Sequence, residues 1–207
     1  MNFIDEINCL ENLEFCGDFI ALKGSIPILF SSPHCIYQTL PEGNIKKSEP
    51  YTKAISLYLN KHYNTYSIIK NKDTGIDSNR DNYDNYNIEL RRIIKDNNIK
   101  LVIDLHGASK LREFDIEFGT LNNLTADFST IKELEESFKE NGVTNIIHNN
   151  PFKGGAITKG IYALTDVDVI QLEISGNYRD ANDIEKLEKI INSLAAFIKQ
   201  YNKYINR

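Results

Sequence analysis

The run Leu101-Val102-Ile103-Asp104-Leu105, ended by His106-Gly107, constrains the fold more than any other stretch of the sequence. Apolar side chains at consecutive positions describe a strand covered on both faces, and such strands belong to parallel sheets lying between helices. Shorter runs fit the same sheet: Phe15 to Leu22, Ile26 to Phe30, Tyr66 to Ile69 and Val167 to Ile174, with Phe114 to Phe118 alternating as a half-buried strand. Helical periods fall between them. One helix starts at Pro50 and runs to about Lys61, with Ser48 or Glu49 as its cap. A second is marked by Tyr83, Tyr86, Leu90, Ile93 and Ile94, and a third by Phe128, Ile131, Leu134 and Phe138, closed by Asn141-Gly142. The last opens at Asn182-Asp183-Ile184-Glu185, a variant of the capping box, and carries Ile184, Leu187, Ile191, Leu194 and Ile198 on one stripe. Strands alternating with helices imply a three-layer α/β/α fold with a mostly parallel, mixed sheet, filling residues 1–207 as a single domain.

Composition removes several function classes. A chain of 207 residues buries enough surface to fold without a disulfide or metal staple. With 24 Lys+Arg against 29 Asp+Glu, the net charge of −5 argues against nucleic acid or an anionic membrane as partner. No stretch reaches 18 consecutive apolar residues, so no transmembrane helix is expected. The N-terminal residues MNFIDEINCLENLEF are acidic and lack the basic start of a secretory signal. Cys9, Cys16 and Cys35 form no Cys-x-x-Cys pair, which fits free thiols and a cytoplasmic location.

In α/β sheets, ligands bind outside the carboxyl ends of strands. Three apolar strands here end in a chemically competent group: Ser32-Pro33-His34 after one, His106-Gly107 after another, and Glu173-Ile174-Ser175-Gly176 after the third. Two histidines and a carboxylate at strand ends are the kit of a catalytic zinc site that keeps an open position. Asp104 stands two residues before His106, on the same face of the strand, where it can orient the imidazole from behind. His62 at a helix end and His148 among Asn and Pro follow no apolar strand and receive no role. Cys35 points away from its neighbour His34 and is assigned to structure. Asp77, Asn79 and Asp81 alternate as in a calcium loop, but Asn82 stands where the turn glycine belongs and Ile88 where the bidentate acid belongs, so calcium is excluded.

The order Ser-Pro-His, a Glu opening the next helix, Asn-Arg, a strand ending Asp-Leu-His-Gly, and a strand ending in Glu resembles the N-formylglutamate amidohydrolase family, similar in fold to the zinc carboxypeptidases. The resemblance covers about Ile28 to Gly176. It implies a phosphorylase/hydrolase-like α/β architecture and a Zn2+ cofactor, although another divalent metal also suits such ligands. His34, Glu49 and His106 would hold the metal. Glu42, in a Pro-Gly turn, is a rival for Glu49, which a helix start fixes better. Asn79 and Arg80 would clamp a substrate carboxylate, a task suited to the guanidinium fork. Glu173 would be the general base. Gly154 and Gly155, with Thr158 close behind, would form a glycine-bearing loop over the substrate. The implied activity is zinc-dependent hydrolysis of the amide of a small N-acyl amino acid such as N-formyl-L-glutamate. The alternatives are a zinc carboxypeptidase or amidase acting on peptide or cell-wall fragments, and an inactive ligand-binding α/β domain.

Overall fold

The computed structural model describes residues 2–180 and 182–205. The chain runs α1 (Phe3–Glu11), β1 (Phe19–Leu22), β2 (Ile26–Ser32), β3 (Gln38–Thr39), β4 (Ile45–Lys46), α2 (Thr52–Tyr63), β5 (Thr65–Lys70) and α3 (Asn85–Asp96). It continues through β6 (Leu101–Ala108), β7 (Ile116–Gly119), α4 (Phe128–Glu140), β8 (Ile146–His148), α5 (Ala156–Leu164), β9 (Asp168–Ser175) and α6 (Ile184–Ile205). Seven strands form one sheet in the order β1-β5-β2-β6-β9-β7-β8, and β3 and β4 make a separate two-stranded ribbon. The pairs β5–β2, β2–β6, β6–β9 and β7–β8 are parallel, whereas β1–β5 and β9–β7 are antiparallel. The mixed, mostly parallel sheet is as expected. No helix among the described residues is long and apolar enough to cross a membrane.

Side-chain alternation divides the core between the two faces. Ile28, Phe30, Leu101, Ile103, Leu105, Ile170 and Leu172 pack with α1, α2, α4 and α6 on one side. Leu29, Ile68, Val102 and Val169 pack with α3 and α5 on the other. That second face changes character along the strands. Its next residues towards the carboxyl ends are Ser31, Asp104, His106, Gln171 and Glu173, all buried and polar. They lie side by side, because Ser31 is in register with Asp104, Asp104 with Gln171, and His106 with Glu173. Buried polar groups are costly unless partnered, so a row of them marks where stability yields to function.

Several elements differ from the sequence expectations. The first strand begins at Phe19 rather than Phe15, and the acidic N-terminal segment is a helix, α1, capped by Asn2, whose side chain accepts the Asp5 N–H at 2.9 Å. Helix α5, strand β8 and the β3–β4 ribbon are not among the sequence expectations. Helix α2 starts at Thr52, two residues after Pro50, and neither Ser48 nor Glu49 caps it. The cap comes from α1 instead: Glu11 accepts the N–H groups of Tyr51 at 2.9 Å and Ala54 at 3.2 Å. A carboxylate at a helix N-terminus does the work of a cap wherever in the chain it originates. Glu49 is thereby released to point elsewhere.

Candidate active site

The polar row on the sheet faces a cleft of about 400 Å³ lined by His34, Lys46, Glu49, Asn79, His106, Arg112, the loop 151–155, Gln171 and Glu173. At its floor His34, Glu49 and His106 come together, each offering a ligand atom within 4.8 Å of the others. Glu49 sits between the two rings, with Oε1 3.1 Å from His34 Nδ1 and Oε2 3.3 Å from His106 Nδ1. The far side of each ring meets an acid. His34 Nε2 is 2.7 Å from Asp77 Oδ1, and His106 Nε2 is 2.9 Å from Asp104 Oδ2. A proton on each Nε2, donated outward to a carboxylate, leaves both Nδ1 lone pairs facing inward beside Glu49. This is the donor chemistry of a His₂Glu site for a divalent cation, each imidazole oriented by an outer carboxylate.

The outer acids are themselves fixed. Asp104 is fully buried and accepts the Ser31 hydroxyl at 2.7 Å, and Ser31 in turn meets the Tyr86 hydroxyl at 2.9 Å. Asp77 accepts the Asn79 N–H at 3.0 Å and pairs with Lys46 Nζ at 3.3 Å. Burial would raise the Asp77 carboxyl, but the His34 imidazole and Lys46 hold it below the usual range. Burial likewise opposes ionisation of Glu49, yet the His106 and His34 rings hold its carboxyl well down. Burial would lower the His106 imidazole, and the Asp104 and Glu49 carboxylates instead raise it. Three carboxylates, Glu49, Asp77 and Asp104, thus surround the two rings at the floor of the cleft, where a cation would sit.

Glu173 differs from these acids. It is 5% exposed, accepts the Gln171 amide at 2.8 Å, and among the described residues has no cation within ion-pair distance. Burial pushes its carboxyl up to about 7, against the pull of His106 and with a smaller contribution from Glu49. A carboxyl poised near neutrality can both accept and return a proton.

Gly107 and Arg179 lock the floor. The Gly107 N–H donates to Glu49 Oε2 at 2.9 Å. Behind the same residue, Arg179 donates to the carbonyls of Ile174 at 3.0 Å, Pro50 at 2.7 Å and Ala108 at 3.1 Å, tying β6 and β9 to the segment that carries Glu49. A Cβ on residue 107 would lie 2.3 Å from the Arg179 guanidinium carbon. Gly107→Ala should therefore displace Arg179 and loosen Glu49, weakening metal affinity by about 10–100-fold, as isothermal titration with zinc would measure.

Of the expected residues, the fold brings together His34, Glu49, His106, Asp104, Glu173, Asn79, Gly154 and Gly155. The Asn79 amide nitrogen lies 3.3 Å from His106 Nε2, and a Cβ on Gly155 would strike that amide at about 2 Å. Two expectations are corrected. Arg80 does not line the cleft: its guanidinium is largely exposed and bonds Glu42 at 3.3 Å in a neighbouring depression. Glu42 is thus engaged outside the cleft and is no rival to Glu49. Thr158 is buried beneath Gly154 and does not line the cleft either. Asp77 as partner to His34, and the parts played by Glu11, Gln171, Arg112 and Arg179, are not among the sequence expectations. For Asp77 the only local signal is its place in the run Asp77-Ser78-Asn79-Arg80.

No family model matches the sequence, and no curated protein does either. Solved structures do match. The N-formylglutamate amidohydrolase of Ralstonia eutropha JMP134 superposes with a TM-score of 0.66 over 93% of this chain and 99% of its own, at 13% identity. This chain has the fold of an N-formylglutamate amidohydrolase. A bacteriophage poly-γ-glutamate hydrolase gives a TM-score of 0.59 at 13% identity, covering 97% of this chain and 96% of its own. The catalytic domain of CwlV, an N-acetylmuramoyl-L-alanine amidase from Bacillus (Paenibacillus) polymyxa var. colistinus, gives 0.51 at 11% identity, covering 84% of this chain and 96% of its own. At these identities the amidohydrolase likeness is one of architecture, and chemistry has to be argued from the cleft.

Proposed function

We propose that this protein is a metal-dependent amidohydrolase that cleaves the amide of a small N-acyl amino acid, N-formyl-L-glutamate being the first candidate. The observation that carries the reading is the pairing of His34, Glu49 and His106 with a buried Glu173 in register with His106 on the adjacent strand. The solved relatives of the same fold that hydrolyse amides support it. When bound by the triad, a divalent cation, zinc by preference of the ligand set, supplies Lewis acidity that lowers the pKa of water and polarises a carbonyl.

The chain's own groups do the rest. Asp77 and Asp104 hold the two imidazoles in the tautomer that leaves Nδ1 free, and Gly107 and Arg179 hold Glu49. Asn79 presents an amide donor on the cleft wall. Glu173 takes the proton of the attacking water and delivers it to the nitrogen as the C–N bond breaks, so the amine leaves neutral. Gln171, bonded to both Glu173 and the Gly155 N–H at 2.7 Å, couples the base to the glycine loop over the substrate.

The test is hydrolysis by the purified, zinc-supplemented protein of N-formyl-L-glutamate beside a γ-glutamyl oligomer and a muramoyl-peptide fragment. Turnover of the first above the others supports the reading. Turnover of either polymer fragment alone moves the substrate to that class, and no turnover of any removes the hydrolase.

A further inference from the structure

With Arg80 turned out towards Glu42, the cleft needs another group to recognise an anionic substrate. Three cations line it: Lys46, Arg112 and Lys153. Lys46 is already paired with Asp77. Lys153 is exposed at the rim, a flexible ammonium on a long stem. Arg112 is exposed as well, but it carries a guanidinium fork and lies over a ring. Its guanidinium lies 5.3 Å from the centre of the Phe152 ring, and among the described residues it has no carboxylate within ion-pair distance. It also stands on the turn that leaves β6 six residues beyond His106, where its N–H donates to the Ser109 carbonyl at 3.0 Å.

The platform beneath Arg112 is itself built. Glu117, fully buried on β7 and in register with Glu173, accepts the Asn150 N–H at 2.6 Å and the Phe152 N–H at 2.7 Å through one oxygen. This pins the loop that carries the ring. Burial raises the Glu117 carboxyl, against the pull of the Phe152 and Asn150 N–H groups and of Arg112. A guanidinium laid on an aromatic face keeps its edge free for a bidentate carboxylate and loses little freedom on binding it.

We infer that Arg112, lying over the Phe152 ring whose loop Glu117 holds, recognises the substrate carboxylate in place of Arg80. The inference rests on the amidohydrolase reading and names the specificity residue of that site. The substrate is thus an N-acyl amino acid with a free carboxylate reaching the β6–β7 side of the cleft. Neutral amides of the same shape are discriminated against.

The experiment compares N-formyl-L-glutamate with its neutral diamide on wild type, Arg112→Ala, Arg112→Lys and Arg80→Ala, all zinc-loaded. Arg112→Ala should raise KM for the carboxylate by about 30-fold, more than it changes kcat, and collapse the preference over the diamide. Arg112→Lys, which keeps charge but not the fork, should recover only part of it, while Arg80→Ala keeps the wild-type preference. Preference retained in Arg112→Ala, or lost in Arg80→Ala, overturns the inference. Should wild type hydrolyse neither compound, calorimetric binding of glutarate separates the two failures. Binding that Arg112→Ala weakens tenfold or more upholds the carboxylate site while the hydrolase reading falls, and binding absent in wild type or unchanged in Arg112→Ala overturns the site as well.

Discussion

Glu173→Gln should keep its metal and lose turnover by about a thousandfold or more, since a positioned acid–base group contributes on the order of 10²–10⁴ and here serves two proton transfers. The substitution is nearly isosteric, and the Gln171 amide, bonded to Glu173 at 2.8 Å, still finds an oxygen to donate to. The same change should stabilise the metal-free protein, with a pH dependence fixed by the raised carboxyl. Below the ordinary carboxyl range both folded and unfolded states are protonated and the variant gains nothing. Between that range and about 7 the unfolded chain ionises first, so the wild-type fold loses stability as pH rises. Above about 7 the full cost of burying the charge is present, roughly 3 kcal/mol for a group raised from 4.5 to about 7. Urea unfolding of apoprotein should thus show most of the gain at pH 8 and only a small part of it at pH 5. In turnover, the acid limb of kcat/KM should lie at or below pH 7, because a cation at the triad opposes the effect of burial on Glu173. Parent-rate hydrolysis by Glu173→Gln would remove it as the base.

His106→Ala should abolish stoichiometric metal binding, and its effect on folding should be large as well. The imidazole is the partner of Asp104, which is fully buried, and sits 3.3 Å from Glu49. Removing one member of a buried charged group costs about 3 kcal/mol or more because the other is left unpaired. Asp104→Asn separates the two effects. It leaves all three ligands in place, and it should weaken zinc affinity by about 10–100-fold through the tautomer and orientation of His106. Equal metal affinity in wild type and Asp104→Asn, measured by competition with a chromogenic chelator, would show that Asp104 serves the core alone.

The ends of strands were the part of this site that the sequence could reveal. An apolar run must stop somewhere, and the polar residues around its end lie at the mouth of the sheet, which is how His34, His106 and Glu173 stand out. Asp104 was legible because residues two apart on a strand share a face. Glu49 was placed by resemblance, with the wrong local reason: it does not cap α2, since Glu11 does. Asp77 was hidden in a polar stretch that reads as a solvated loop, although it is 43 positions from His34 and bonded to it. Arg112 and Arg179 were hidden for the same reason, their roles arising from contacts across the chain that no local period records. Arg80 shows the converse, a motif residue in sequence whose side chain leaves the cleft for Glu42.

Everything proposed for the cleft depends on a cation at His34, Glu49 and His106. The metal content of the full-length protein, purified without chelator and measured by elemental mass spectrometry beside Glu49→Ala, tests that most directly. About one zinc or other divalent ion per chain, falling to near none in the variant, is the expected result. A wild-type protein that carries well under one ion per chain, takes up none on titration with zinc, and matches Glu49→Ala in both respects would contradict the metal centre and the hydrolase built on it.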